Sequence, residues 1–271
     1  MNKLWLITNP HSGSAAGEKC AAIEAVCEDK GLAFAGRTNF PDEPLPGPDQ
    51  LGDADTVLLF AGDGTINAAL RKLEGWDGAV LILPGGTMNM LAKRLHGTAD
   101  AGDIVHAAHA EKRTTALPYI EAGEERAFVG VIAGPVTAWA EAREAVREGD
   151  LAKLPAAAAA AWSRSWEQEV ALHDGEMLLG RYNAVYAEPR QGGLAVAGIA
   201  AERIADLAKL GWAWIAGDWR AAAPVDDRLT SAAILSADGG VKALFDGEEA
   251  VLESPATLTA GVSALRFLTT A

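Results

Sequence analysis

Short apolar runs alternate with amphipathic segments in the first third of the chain. The runs Lys3–Thr8, Thr56–Phe60 and Ala79–Pro84 are continuously apolar, which is typical of strands buried on both faces. Apolar residues recur at helical spacing from about residue 14 to residue 30, where Gly31 predicts a stop, and again after the second and third runs. These helical positions are Cys20, Ile23 and Cys27; Ile66, Ala69, Leu70 and Leu73; and Met88, Leu91, Ala92 and Leu95. The pattern predicts a parallel sheet covered by helices on both sides.

The pattern changes beyond about residue 113. Short, often alternating apolar runs separated by turn signals predict an antiparallel, β-rich domain, interrupted by helical insertions at 153–166 and 202–217. We therefore expect an α/β protein of two domains. A parallel-sheet domain spans residues 1–113 and a β-rich domain spans 114–255. Residues 256–271 form closing strands, and their return to the first domain is left open.

Composition narrows the classes of partner. The 271 residues include 49% hydrophobic and 22% charged residues, which is globular composition, and the formal net charge is −14. This charge argues against nucleic acid, because phosphate binding needs clustered Lys and Arg. No apolar stretch reaches the roughly 18 residues of a spanning helix. Cys20 and Cys27 share a helix face but lie too far apart for a disulfide, so we expect a reducing, cytoplasmic location.

Three glycine-bearing turns follow the three apolar runs: NPHSG at 9–13, AGDGT at 61–65 and PGGTMN at 84–89. The carboxyl ends of parallel strands meet at one edge of a sheet, so the turns are predicted to converge there. Glycines let a backbone approach a ligand closely, and the usual ligand of such turns is a phosphate. Asp63 places a like charge beside that anion. A metal ion, a proton to be moved or a helix amino terminus is needed to offset it.

In these turns the chain resembles the diacylglycerol kinase catalytic superfamily, which includes bacterial lipid kinases and the sphingosine and ceramide kinases. The family patterns N-P-x-S-G, G-G-D-G-T and L-P-x-G-T-x-N correspond to residues 9–13, 61–65 and 83–89, and a family D-G-E corresponds to Asp246–Glu248. The resemblance extends over the whole chain, since FVGVIAGP and ESPATLTAGVSALRFL are similar to the opening and closing strands of the family's second domain.

The resemblance implies a site for ATP and Mg²⁺. The residues implied to contact the nucleotide are Asn9, Pro10, Ser12, Gly13, Thr38, Gly62, Asp63, Gly64, Thr65, Gly85, Gly86, Thr87 and Asn89. Asp63 is implied to reach Mg²⁺ through water beside the ATP phosphates, where the cation turns a like-charge penalty into attraction. The alternative for Asp63 is a cap of the helix that follows it, and the alternative for Thr38 is an ordinary surface hydroxyl.

Catalysis is implied to depend on Asp63, Asp246 and Glu248. Phosphoryl transfer to an alcohol needs a group that accepts the hydroxyl proton and a metal that holds the phosphates. The resemblance places the proton acceptor in the D-G-E, and we favour Glu248 as the base with Asp246 as its supporting or metal-linked neighbour, although the reverse assignment stays open. Both carboxylates are expected to face a cleft between the domains. Taken alone, D-G-E is an ordinary hairpin turn.

Two departures from the family pattern matter. The first glycine of G-G-D-G-T is Ala61, which adds one methyl group. Many bacterial members carry a segment whose acidic residues hold an additional, structural Mg²⁺, and here Gly192 and Ala195 stand where those acids would be. We therefore expect this second metal site to be missing.

The leading hypothesis is a kinase that phosphorylates a lipid alcohol, such as a diacylglycerol or a sphingoid-type lipid. The alternatives are an NAD kinase or another small-molecule kinase of the same superfamily, and a nucleotide- or lipid-binding protein without catalysis. We expect most second-domain tryptophans to pack in the core, with a subset lining an acyl-chain pocket or a membrane-facing lip. Transient contact with a membrane surface and a homodimer are left open. These tryptophans are Trp139, Trp162, Trp166, Trp212, Trp214 and Trp219.

Overall fold

The computed structural model describes residues 1–11, 17–134, 169–199 and 228–271. They fall into two units, one formed by Met1–Leu117 with Val262–Ala271 and the other by Pro118–Gly261. The domain boundaries expected after residues 113 and 255 stay a prediction. Several predictions concern residues outside the described part, namely those for Ser12, Gly13, the insertions 153–166 and 202–217, and the six tryptophans Trp139, Trp162, Trp166, Trp212, Trp214 and Trp219.

Helices and strands alternate through the first unit. Its elements are β1 (Lys3–Thr8), α1 (Gly17–Asp29), β2 (Ala33–Asn39), a 3-10 turn (Pro48–Gln50), β3 (Thr56–Ala61), α2 (Asp63–Lys72), β4 (Ala79–Pro84), α3 (Met90–His96), α4 (Ala101–Glu111) and β5 (Thr114–Thr115). The second unit is almost all strand where it is described. Its elements are β6 (Pro118–Ala122), β7 (Glu125–Ala127), β8 (Val131–Ala133), β9 (Val170–Asp174), β10 (Met177–Tyr182), β11 (Ala184–Arg190), β12 (Gly193–Ile199), β13 (Arg228–Thr230), β14 (Ala232–Ser236), β15 (Val241–Phe245), β16 (Glu248–Leu252) and β17 (Ala256–Val262). The chain then returns to the first unit as β18 (Arg266–Leu268).

The first unit is built on one sheet in the order β2-β1-β3-β4-β18-β5. Its strands run parallel except at β5, which pairs with β18 in the antiparallel sense. On one face, Leu4, Leu58 and Leu81 pack with Ile23 of α1 and Ile104 of α4. The alternate residues of β3 and β4 are equally buried, and α2 and α3 contact these two strands. Burial on both faces explains why these strands are continuously apolar.

The second unit contains two antiparallel sheets. Their strand orders are β10-β9-β14-β17-β6-β7 and β13-β12-β11-β8-β15-β16. Residues from both sheets share one core, in which Leu172 and Leu258 of the former meet Val185 and Phe245 of the latter. The two sheets therefore pack face to face, and alternate residues of their strands fill the space between them.

The predicted α/β class is confirmed, with a mostly parallel sheet followed by antiparallel β structure. Strands β1 and β4 have the predicted bounds, and Gly31 follows α1 with a φ of 69°. Helix α4 was not predicted. Across the described ranges, none of the helices has the length and apolar character needed to span a membrane.

Candidate functional site

Three turns of the first unit leave the sheet at the same edge. Thr8 pairs with Phe60 and Phe60 pairs with Leu83, so β1, β3 and β4 end at the same level of the sheet. The residues that follow them begin the turns at 9–13, 61–65 and 84–89. The predicted convergence of these turns in the first unit therefore has a direct basis in the register of the strands.

The turn after β4 packs directly on the backbone at the end of β3. A Cβ atom added to Gly85 would lie 2.5 Å from the amide nitrogen of Ala61 and 2.8 Å from the carbonyl carbon of Phe60. One added to Gly86 would lie 2.7 Å from the Cα of Gly62. Two consecutive glycines are needed here because no side-chain atom fits between the two turns.

Asn89 closes the same turn on itself. Its Oδ1 accepts a hydrogen bond from the amide of Gly86 at 2.6 Å, and its Nδ2 donates to the Gly86 carbonyl at 2.8 Å. Its backbone is left-handed, with a φ of 52°, a conformation that Asn tolerates better than most residues. Thr87, at the tip of the turn, is exposed. The structure thus gives the Asn89 side chain a role in shaping the turn.

Asp63 is the first residue of α2, directly after Gly62, whose extended backbone (φ −77°, ψ 163°) begins the helix. Its Oδ1 accepts a hydrogen bond at 2.9 Å from the amide of Met90, the first residue of α3. The carboxylate thus lies at the amino terminus of one helix, where the helix dipole favours negative charge, and caps another helix from outside. Gly64 and Thr65 follow within the first turn of α2.

Asn9 joins the first turn to the second. Its Nδ2 donates to the hydroxyl of Thr65 at 2.9 Å, and its Oδ1 accepts from the amide of His11 at 2.9 Å. Thr65 is 8% exposed, whereas Pro10 is exposed. All three turns are therefore linked: Asn9 contacts the second, and Asp63 of the second contacts α3 after the third.

Helix α3 is also held at its carboxyl end. The carbonyl of Leu95 accepts hydrogen bonds from the Thr269 hydroxyl and from the amides of Thr270 and Ala271. The buried His96 ring places Nδ1 3.0 Å from the Thr270 hydroxyl. Burial lowers the pKa of His96 to about 4, against an opposing effect of the Ile82 backbone, so the ring is neutral at physiological pH.

In the second unit, Asp246 and Gly247 form the two-residue turn that joins β15 to β16. Both have positive φ, 49° and 92°, and Phe245 pairs with Glu248 across the turn, as in a type I′ hairpin. The Asp246 carboxylate is 3% exposed and accepts three backbone hydrogen bonds, from the amides of Phe128, Val129 and Gly130, at 2.7 to 2.9 Å. The structure therefore places Asp246 inside this unit as an anchor for the turn.

Glu248 lies in different surroundings. It is the first residue of β16 and is half-buried, and its neighbour Glu249 is exposed. The expectation that both carboxylates of D-G-E face one cleft stays a prediction. In the structure Asp246 is a turn residue and Glu248 a strand residue, so the two side chains have separate environments.

A magnesium ion requires oxygen ligands. Within the part of the chain that the structure describes, no three His, Cys, Asp or Glu side chains are close enough to hold a metal ion together. Asp63 offers one carboxylate beside the glycine turns. Mg²⁺ in nucleotide sites is held by one or two carboxylates, with water and phosphate oxygens completing its shell, so this donor set fits the ion.

The segment expected to have lost a structural metal site is a tight β-hairpin. Strands β11 and β12 pair from Ala184–Ile199 to Arg190–Gly193, with Gln191 and Gly192 at the turn. The buried Glu188 carboxylate forms an ion pair with Arg190 at 3.3 Å. The Arg190 guanidinium thus provides positive charge beside this carboxylate. The absence of the second, structural Mg²⁺ site stays a prediction.

Comparison with known proteins bears on the amino-terminal part most directly. Residues 3–120 match the family model of the diacylglycerol kinase catalytic domain. The resemblance to this family is confirmed. No curated protein matches the chain. Among solved structures, a diacylglycerol kinase from Bacillus anthracis str. Sterne is 15% identical with a TM-score of 0.71, and the match covers 99% of this chain and 97% of that one.

Two candidate diacylglycerol kinases from the same organism are 14% identical to this chain, with TM-scores of 0.70 and 0.73. Each match covers 99% of this chain and 96–97% of the other. At such identity the likeness establishes the fold along nearly the whole length. Residues 3–120 are thus similar to a kinase catalytic domain, and the fold alone does not determine the substrate.

The sequence missed the partner of Asp63. Its carboxylate accepts from the amide of Met90 at the start of α3, 27 residues further along. No local signal marks this contact, because it depends on two turns packing together at the sheet edge. Chemically, the first-unit site offers backbone amides, one hydroxyl-bearing helix start and one carboxylate, a set suited to a metal-bound polyphosphate.

Proposed function

We propose that this protein transfers a phosphoryl group from ATP to the hydroxyl of a lipid alcohol of the diacylglycerol or sphingoid type. The observation that carries the proposal is Asp63. Its carboxylate lies where the glycine turns of β3 and β4 pack together, in a domain that matches the diacylglycerol kinase family. An aspartate needed only to cap its own helix would occupy the residue before that helix, where Gly62 stands.

The first unit is proposed to bind the nucleotide. Gly62 and Gly64 add no side chain around the start of α2, Gly85 and Gly86 let the two turns pack closely, and Thr65 presents a hydroxyl at a helix start. The remaining proposed contacts are Asn9, Pro10, Ser12, Gly13, Thr38, Thr87 and Asn89. Asp63 would hold Mg²⁺ through water, and the bound ion would neutralise charge on the phosphates. Backbone donors fixed in this way need no reorganisation when the phosphoryl group transfers.

The second unit is proposed to supply the proton acceptor. Glu248 is half-buried at the start of β16, and we assign to it the removal of the proton from the substrate hydroxyl. Asp246 is proposed as its positioning neighbour. Three backbone amides hold the Asp246 carboxylate, so it fixes the turn from which β16 and Glu248 begin. This bonding favours Glu248 over Asp246 as the base.

A lipid alcohol is proposed as the acceptor because the matching family and the solved relatives are described as diacylglycerol kinases. The experiment is a transfer assay with γ-labelled ATP and Mg²⁺ against diacylglycerol, a sphingoid base, NAD and simple sugars. Labelled lipid that disappears in the Glu248→Gln variant supports the proposal. Labelled NAD would instead identify the protein as an NAD kinase. ATP binding without transfer to any alcohol would identify it as a binding protein without catalysis.

A further inference from the structure

Trp5 and Thr38 meet on one face of the first sheet. Trp5 lies in the middle of β1, and its indole Nε1 donates a hydrogen bond to the hydroxyl of Thr38 at 3.0 Å. In the register of β1 and β2, Trp5 pairs with Gly36 and Ile7 pairs with Thr38. The indole therefore reaches two residues along β2, toward the carboxyl end of the strand where the nucleotide is proposed to bind.

Gly36 makes room for this reach. A Cβ atom on Gly36 would lie 2.3 Å from Cζ3 of the Trp5 ring and 2.6 Å from two more ring atoms. The ring thus lies against the Gly36 backbone and is half-buried. Its position is set by packing on this backbone, so the direction of the Nε1 hydrogen bond is set as well.

The hydrogen bond from Trp5 determines which further hydrogen bonds the Thr38 hydroxyl can form. A hydroxyl donates one hydrogen bond and accepts two, and an indole N–H only donates. Thr38 must therefore accept from Trp5, which leaves its own proton to be donated. Thr38 is 4% exposed, and among the described residues no acceptor for that proton is found. A buried hydroxyl proton without an acceptor is costly, which makes a ligand acceptor favourable there.

We propose that Trp5 is a positioning residue for nucleotide binding. It fixes the Thr38 hydroxyl as a hydrogen-bond donor toward an acceptor atom of the nucleotide, a ring nitrogen or a ribose or phosphate oxygen. This inference rests on the proposed function, because it takes ATP as the ligand of the first unit. It adds a residue with no direct nucleotide contact, which acts only through Thr38.

The test is a double-mutant cycle on the ATP affinity of the full chain. Trp5→Phe keeps an aromatic ring over Gly36 and removes the donor, while Thr38→Val removes the hydroxyl. Each variant is expected to weaken ATP binding about 3- to 10-fold, the range of one net hydrogen bond. The double variant is expected to bind no more weakly than Thr38→Val alone, because Trp5 then has nothing to position.

The matched control is Trp76→Phe. Trp76 also lies over a glycine, since a Cβ atom on Gly78 would be 2.1 Å from its Cζ2, but it precedes β4 and so stands at the amino end of the strand. We expect it to leave the ATP affinity unchanged. Losses from Trp5→Phe and Thr38→Val that simply add, or an unchanged affinity in Trp5→Phe, would overturn the inference.

A spectroscopic measurement gives a second readout besides affinity, and its first half uses the unmodified protein. With ¹⁵N-labelled tryptophan, the Nε1–H resonance of Trp5 should shift when Mg²⁺ and ADP are added, and this shift should vanish in Thr38→Val. ATP binding with the expected coupling but no transfer to alcohols would retain this inference and remove the proposed activity. Absence of ATP binding in the unmodified protein would overturn both.

Discussion

The carboxylate of Asp63 caps the backbone amide of Met90 at 2.9 Å, and this contact joins the turn after β3 to the helix after β4. One oxygen of a residue proposed to act on Mg²⁺ is therefore already engaged in holding the site together. The helix dipole at the start of α2 stabilises the charge in addition. The packing of the site thus depends on Asp63 as a hydrogen-bond acceptor, whereas the proposed Mg²⁺ binding depends on its negative charge. Substitutions can remove one property and keep the other.

Asp63→Asn should separate them. The amide oxygen of Asn can still accept from Met90, so we expect the unfolding temperature to stay close to that of the unmodified protein. Loss of the charge should weaken Mg²⁺-dependent ATP binding by roughly tenfold or more, about 1.4 kcal/mol. Asp63→Ala should in addition lower the free energy of unfolding by about 1–3 kcal/mol, because the Met90 amide loses its acceptor.

Calorimetric titration with ATP, with and without Mg²⁺, measures the first effect, and chemical denaturation measures the second. Asp100→Asn is the matched control, since Asp100 likewise accepts from a backbone amide, that of Asp103, at the start of α4. It carries the same change in charge and should not alter ATP affinity. If ATP binding by Asp63→Asn depended on Mg²⁺ as strongly as in the unmodified protein, the proposed role of Asp63 in holding Mg²⁺ would be wrong.

Gly85→Ala should strain the contact between the two turns. The new Cβ would approach backbone atoms of Phe60 and Ala61 to 2.5–2.9 Å, and backbone atoms of a central strand cannot move aside easily. We expect a loss of about 1–3 kcal/mol in the free energy of unfolding, as for overpacked cores, with weaker ATP binding. Gly102→Ala, in the helical part of α4 with its nearest contact at 3.4 Å, should be neutral or stabilising. Equal stability of the two variants would contradict this packing argument.

The sequence predicted the strands better than the contacts between turns. The runs at β1 and β4 are bounded by polar or glycine residues and are mostly buried, so their ends are marked. Asp63 and Met90 are 27 residues apart, and Asp246 is 116–118 residues from the amides that it accepts from. Such contacts depend on how strands and turns pack in three dimensions. Helix α4 was missed because its apolar stripe is short, with Ile104, Val105 and Ala108 between histidines and alanines.

His96 should make the protein less stable in acid. Burial depresses its folded pKa to about 4, whereas an unfolded histidine titrates near 6.5, so the folded state binds fewer protons between these values. The contribution of the neutral His96 ring to the free energy of unfolding is fully present above pH 6.5 and is lost as the pH falls toward 4. The unfolding midpoint should therefore fall more steeply from pH 7 to pH 4.5 in the unmodified protein than in His96→Leu. His106→Gln, at an exposed position of α4, should keep the steep slope. Equal slopes in all three proteins would contradict the assignment.

Asp246→Ala should destabilise the protein strongly. It leaves the amides of Phe128, Val129 and Gly130 without their acceptor, and we expect a loss on the order of 3 kcal/mol or more in the free energy of unfolding. Asp246→Asn tolerates the left-handed backbone and keeps one oxygen, so it should lose less. The control is Asp238→Ala, at an exposed Asp-Gly turn of the same unit, with an expected change below about 0.5 kcal/mol. Similar urea midpoints for Asp246→Ala and Asp238→Ala would show that the buried carboxylate does not anchor the turn.

Glu248→Gln should abolish transfer while leaving the nucleotide bound. The variant removes the proton acceptor but keeps the size of the side chain, and the proposed ATP contacts lie in the first unit. Turnover with the best lipid alcohol should fall by roughly 10²- to 10⁴-fold, the range for a positioned general base, with ATP affinity changed less than about twofold. Glu249→Gln, the exposed neighbour, makes the same change in charge one residue away and should keep full turnover. The paired measurement of ATP affinity and turnover in both variants separates a base from a structural carboxylate, since a structural loss would lower both quantities together. Near-normal turnover in Glu248→Gln would exclude it as the base and return the assignment to Asp63 or Asp246.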